Sequence, residues 1–104
     1  MAEIGEDASG SELSLAVGEQ LTIQLGENRT TGYRWHVLAA GEPICRLVDD
    51  SFQVDGELHG SPGTHRWTFQ TQQAGQASIE LAYRRPWEED AGRPFRVTVR
   101  VSGS

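Results

Sequence analysis

One cysteine, Cys45, is too few for an internal disulfide, so cysteine usage names no redox compartment. No apolar run approaches the roughly 20 residues of a membrane-spanning helix. The N-terminal Met-Ala-Glu-Ile-Gly-Glu-Asp lacks the charged and apolar parts of a signal peptide. We therefore expect a cytosolic protein, or the mature form of a periplasmic or secreted one. Positive charge is scarce: nine Lys and Arg against fifteen Asp and Glu give a formal net charge of −6. That balance argues against a nucleic acid partner, whose phosphates require a basic face. Helical periodicity of useful length is missing, and so is any internal repeat. Apolar residues make up only 37% of the 104, enough for one modest core, and twelve glycines point to many turns.

What is present is alternation. Leu13, Leu15 and Val17 stand at every second position, as do Leu21, Ile23 and Leu25, and then Tyr33, Trp35 and Val37. The same spacing returns in His65, Trp67 and Phe69, in Ala77, Ile79, Leu81 and Tyr83, and in Phe95, Val97, Val99 and Val101. Period two marks half-buried strands. Residues 44–54 are less regular: Leu47, Phe52 and Val54 are apolar, and Asp49-Asp50-Ser51 can bulge or break a strand there. Short strands with frequent turn signals predict an all-β fold, an immunoglobulin-like antiparallel β-sandwich of about seven strands. The cysteine pair of antibody domains is missing, so that likeness is architectural. Residues 1–11, acidic and small, read as a mobile N-terminal tail, or as a short first strand using Ile4. Residues 12–101 then make a single domain.

In a sandwich whose consecutive strands run up and down, alternate connections share an end. The loops after the second, fourth and sixth strands, 26–32, 55–63 and 84–93, therefore meet. They are also the three with unusual composition. The first holds Asn28-Arg29-Thr30-Thr31-Gly32, the second Gly60-Ser61-Pro62-Gly63, and the third Arg85-Pro86-Trp87 before the acidic run Glu88-Glu89-Asp90. No alternation buries Trp87. An exposed tryptophan beside an arginine has the composition of a protein-binding hot spot, although the ring could instead fold back over the sandwich edge. Gly60 and Gly63 allow close backbone approach, or mark an ordinary turn. Catalysis is not supported. No serine or threonine has the context of an activated nucleophile, and the three histidines lack metal-ligand spacing with one another or with Cys45. His65, sharing the parity of Trp67, reads as a satisfied edge or core histidine, and Cys45 as a small apolar residue.

Taken together, the three loops resemble those of the chagasin family of cysteine peptidase inhibitors. That family carries Asn-Pro-Thr-Thr-Gly-Tyr/Phe, then Gly-x-Gly-Gly, then Arg-Pro-Trp. Asn28 to Tyr33, Gly60 to Gly63 and Arg85 to Trp87 match these in order, across roughly residues 12–101. Arg29 stands where the first motif has proline, and Pro62 interrupts the second. The resemblance implies reversible, tight inhibition of papain-like, cathepsin-like cysteine peptidases, without a cofactor or covalent chemistry. It further implies that Thr30, Thr31 and Gly32 enter the catalytic cleft, that Gly60 to Gly63 lie along the non-primed groove, and that Arg85 and Trp87 pack on the primed side, with Asn28 and Pro86 among the inhibitory-loop contacts. Under it the protein is a monomeric inhibitor and not an enzyme, with no membrane or nucleic acid partner. The alternative is a carbohydrate-binding or adhesion-type sandwich, with Tyr33 and Trp87 as stacking platforms.

Overall fold

The computed structural model describes residues 2–28, 32–54, 63–85, 87 and 93–103. Within them the strands are β1 (Ala2–Ile4), β2 (Glu12–Ala16), β3 (Gln20–Glu27), β4 (Arg34–Ala40), β5 (Cys45–Val54), β6 (Gly63–Thr71), β7 (Gly75–Arg84) and β8 (Arg93–Ser102). They form two four-stranded sheets, ordered β1-β3-β6-β5 and β2-β8-β7-β4. The alternating residues face one another between the sheets. Leu21, Ile23, Leu25, Trp67 and Phe69 of the first sheet and Ile79, Leu81, Phe95, Val97 and Val99 of the second are all buried. Each such side chain contributes on the order of 1.5–3 kcal/mol relative to exposure. The expected β-sandwich is the observed architecture.

Two pairings are parallel: β1 with β3, and β2 with β8. Parallel neighbours cannot be joined by a tight turn, so hairpin signals in the sequence do not announce them. The expected tail is corrected here. Ala2–Ile4 adds to the edge of the first sheet, a 3-10 turn follows at Glu6–Ala8, and Ala2, Ile4 and Ala8 pack against the core. Gly10 N–H then donates to the Arg96 carbonyl at 2.7 Å. The alternative, a short first strand using Ile4, is the reading observed; its ladder hydrogen bonds are made by backbone, which is why an acidic, small-residue composition did not decide between the two.

The irregular segment 44–54 is one strand with a bulge. The register of β5 on β6 shifts between Leu47 and Asp49, leaving Val48 as the extra residue. A bulge of this kind reverses the parity of everything after it. Before it, Leu47 lies opposite Phe69; after it, Asp50 lies opposite Trp67 and Phe52 opposite His65. Asp50 and Phe52, rather than Asp49 and Ser51, therefore share the parity of the core.

The strand register also fixes the shared loop end. Glu27 and Val54 both pair with Gly63, Arg34 pairs with Arg84, and Tyr83 pairs with Arg93. The loops are shorter than their composition suggested. Gly26 and Glu27 belong to β3, Gly63 to β6, Arg84 to β7 and Arg93 to β8.

Candidate functional site

The first loop leaves β3 after Glu27 and enters β4 at Arg34. Its departure is tied to the second sheet, because the Asn28 N–H donates to the Tyr83 hydroxyl at 3.3 Å. Its return is marked by Gly32, whose φ of +84° lies in the left-handed region that favours glycine. A Cβ at Gly32 would stand 3.9 Å from Trp87 Cη2 and 4.0 Å from Arg85 Cγ. The first and third loops thus touch at this residue.

A row of aromatic rings carries that contact down to the core. Trp35 packs on Tyr83 at 4.9 Å between centroids, and Tyr83 stacks on Tyr33 at 5.4 Å. The Arg85 guanidinium continues the row, 4.7 Å above the Tyr33 ring and 5.7 Å from that of Trp87. At its inner end Trp35 is buried; at its outer end Trp87 is 72% exposed. Cation–π contacts at such exposure contribute about 0.5–1 kcal/mol each, enough to favour one arrangement of Arg85 without locking it.

The second loop leaves β5 at Val54 and rejoins at Gly63. Gly63 is buried, and a Cβ on it would fall 2.3 Å from Phe52 Cζ and 2.6 Å from the Gln53 carbonyl oxygen. Its lack of a side chain is therefore required by the packing of β6 on β5, whatever else the loop does. Val54 itself is 51% exposed at the loop's root and adds an apolar patch there.

Of the nine residues expected at the site, Thr30, Thr31, Gly60 and Pro86 lie outside the described residues, as does His59. Among the others, Gly32, Arg85 and Trp87 are brought together, Asn28 anchors the first loop from below, and Gly63 forms the base of the second. Sequence reasoning missed Tyr83, which looked like one more apolar strand residue, and Glu27, which looked like loop. It read His65 correctly as satisfied: both ring nitrogens meet carboxylates. The described groups at this end offer an exposed aromatic plate, a guanidinium and a tight glycine turn, which together can bind a surface. Cys45 is remote from them, paired with Thr71 at the opposite end of β6, and burial pushes its thiol above the ordinary value of 9.0. An open concavity lined by Leu38, Pro43, Ile44 and Ala77 also lies at that opposite end.

Comparison with known proteins supplies the context for this arrangement. The family model for chagasin family peptidase inhibitors matches residues 14–101. Chagasin of Trypanosoma cruzi is 32% identical over 101 residues, covering 92% of each chain. The crystal structure of the cysteine protease inhibitor EhICP2 from Entamoeba histolytica superposes with a TM-score of 0.88 at 23% identity, covering 97% of this chain and 95% of the other. The structure of PbICP-C in complex with falcipain-2 gives a TM-score of 0.65 at 22% identity over 100% of both chains.

Proposed function

Because the chain belongs to the chagasin family of peptidase inhibitors, we propose that it blocks papain-like cysteine peptidases by seating its three-loop end in their active-site cleft. The relatives support that target class: EhICP2 is a cysteine protease inhibitor, and PbICP-C is held in a complex with falcipain-2. The observation that carries the reading is the convergence of Gly32, Arg85 and Trp87 at one end of a rigid sandwich, with Trp87 left 72% exposed. Burial of an exposed tryptophan beside an arginine is a common source of interface binding energy. By the family resemblance, Thr30, Thr31 and Gly32 form the wedge over the catalytic cysteine, the Gly60–Gly63 segment follows the substrate groove, and Trp87 anchors the rim. Inhibition is steric and reversible, with no bond made or broken.

Steady-state inhibition of papain and of a cathepsin L-like peptidase tests the proposal, with a Thr31→Arg/Trp87→Ala variant alongside. Nanomolar inhibition by the wild type, lost in a variant that still unfolds cooperatively, is the expected result. Absence of inhibition of both enzymes at micromolar concentration would refute it. The carbohydrate-binding alternative is less well supported. The Tyr33 ring is already engaged by Tyr83 and Arg85, which leaves Trp87 as the one strongly exposed aromatic among the described residues.

A further inference from the structure

The inward row of β3 runs Leu21, Ile23, Leu25 and then Glu27, and that of β6 runs Phe69, Trp67 and then His65. Both apolar rows thus end, at the loop end, in an ionisable residue. The Glu27 side chain is fully buried, with 0% of it exposed. Its Oε1 accepts the Trp35 N–H at 2.7 Å, directly across the mouth of the first loop. The same oxygen lies 3.3 Å from His65 Nδ1. The other ring nitrogen, Nε2, contacts Asp50 Oδ1, which the bulge at Val48 turns toward it. The imidazole stacks on Trp67 at 3.9 Å and 9°, and the Phe52 ring meets it edge-on at 6.1 Å. The groups facing it are therefore Glu27 from β3, Asp50 and Phe52 from β5, and Trp67 from its own strand. Its two nitrogens point apart, so the carboxylates cannot converge on a metal ion.

We propose that Glu27 and His65 are positioning residues for inhibition: with Asp50 they form a carboxylate–imidazole–carboxylate clasp that ties the root of the first loop to the root of the second. Glu27 closes the first loop by holding the start of β4. His65, two residues past Gly63, ties that closure to β5 and β6, the two arms of the second loop. Each nitrogen–oxygen contact needs one hydrogen. A neutral imidazole carries one, so one of its nitrogens then presents a lone pair to a carboxylate oxygen. Both contacts are hydrogen bonds when the ring carries both hydrogens. The strength of inhibition is thereby coupled to contacts beneath the loops.

This role rests on the inhibitory function proposed above, and two measurements separate the two. In the free protein, hydrogen exchange at the Trp35 amide, corrected for its intrinsic rate, reads the clasp without any peptidase. Protection is expected to fall at least about fivefold in His65→Phe, which keeps the stack on Trp67 but makes neither carboxylate contact. Glu27→Gln, whose amide oxygen still accepts from Trp35, should retain most of the protection that Glu27→Ala loses. With papain, the inhibition constant of His65→Phe is compared with that of the wild type at a single pH. The constant should rise by a similar factor in the variant. Trp35 protection unchanged in His65→Phe, or equal loss in Glu27→Gln and Glu27→Ala, overturns the clasp while leaving inhibition standing. Wild-type protein that fails to inhibit any papain-like enzyme overturns the function, and the role in it, even where Trp35 protection behaves as expected.

Discussion

Truncating Trp87 to alanine separates a binding residue from a folding residue. The ring is 72% exposed in the free protein. A tryptophan buries at most about 250 Å², so complete coverage by a peptidase would remove about 180 Å² from water. At about 25 cal/mol per Å² that is an upper bound of about 4.5 kcal/mol. Coverage is partial at a rim, and the ring must be ordered, so about 2 kcal/mol is the working expectation. That is about a 30-fold rise in the inhibition constant for papain. Within the free protein the ring gives up much less. Its contact with Arg85, at 5.7 Å, is worth about 0.5–1 kcal/mol at most. The melting temperature should therefore fall by no more than about 5 °C. Inhibition constants and calorimetric melting of the same preparations decide the matter. A change in inhibition below about 0.5 kcal/mol would remove Trp87 from the interface. A stability loss as large as the affinity loss would make it a folding residue.

At Gly32, alanine fits sterically but must adopt a φ of +84°, which costs about 1–2 kcal/mol, whereas asparagine tolerates that region better. Urea denaturation should therefore rank Gly32 above Gly32→Asn above Gly32→Ala, and equal stabilities would contradict the left-handed turn. Gly63→Ala should lose about 1–3 kcal/mol by overpacking, and Phe52→Ala should fail to restore it, because the clash with the Gln53 carbonyl is with backbone. Full rescue, seen in the same denaturation assay, would place the strain in the Phe52 ring alone. The Cys45 thiol, raised by burial, should resist a thiol-specific reagent until the protein unfolds. Its folded value lies above the unfolded one, so the unfolded state loses the proton first. Stability should then fall as pH rises past about 9, and this loss should be absent in Cys45→Ala. An alkaline limb identical in the two proteins would contradict it.

The inward rows were legible in the sequence because period two is a property of single strands, and β3, β6, β7 and β8 obey it residue by residue. The shared loop end was legible for a related reason: alternate connections of an up-and-down sandwich must coincide. What stayed hidden depends on pairing between distant segments. The bulge at Val48 is invisible in the composition of 44–54, yet it decides that Asp50 and Phe52, and not their neighbours, face the core side. β1 was legible only as one of two readings, because its contribution is backbone on β3. Tyr83 was visible as a strand residue, but its hydroxyl serves Asn28, fifty-five positions away. Glu27 was the hardest to read. A carboxylate following an apolar strand ordinarily marks the loop that comes next, and only the register opposite Gly63 extends β3 through it.

Glu27 also bears on why the loop end is built as it is. Extending both rows with apolar side chains would bury the same space without removing a charge from water. Such replacements are often neutral or stabilising, so a buried carboxylate is weak evidence for stability and must be accounted for otherwise. A leucine at that position would pack, but it could not hold the Trp35 amide or single out one face of His65. Direction comes from the hydrogen bonds. On the other side of the same loop, Gly32, Tyr33, Arg85 and Trp87 are arranged by stacking and one backbone turn, with Trp87 left facing solvent. The first loop is thus bonded to the second through a clasp beneath it and packed against the third at its surface. A rigid floor with an open apolar rim is the division that a wedge requires, because the floor fixes where the loops stand and the rim supplies the area that a partner covers.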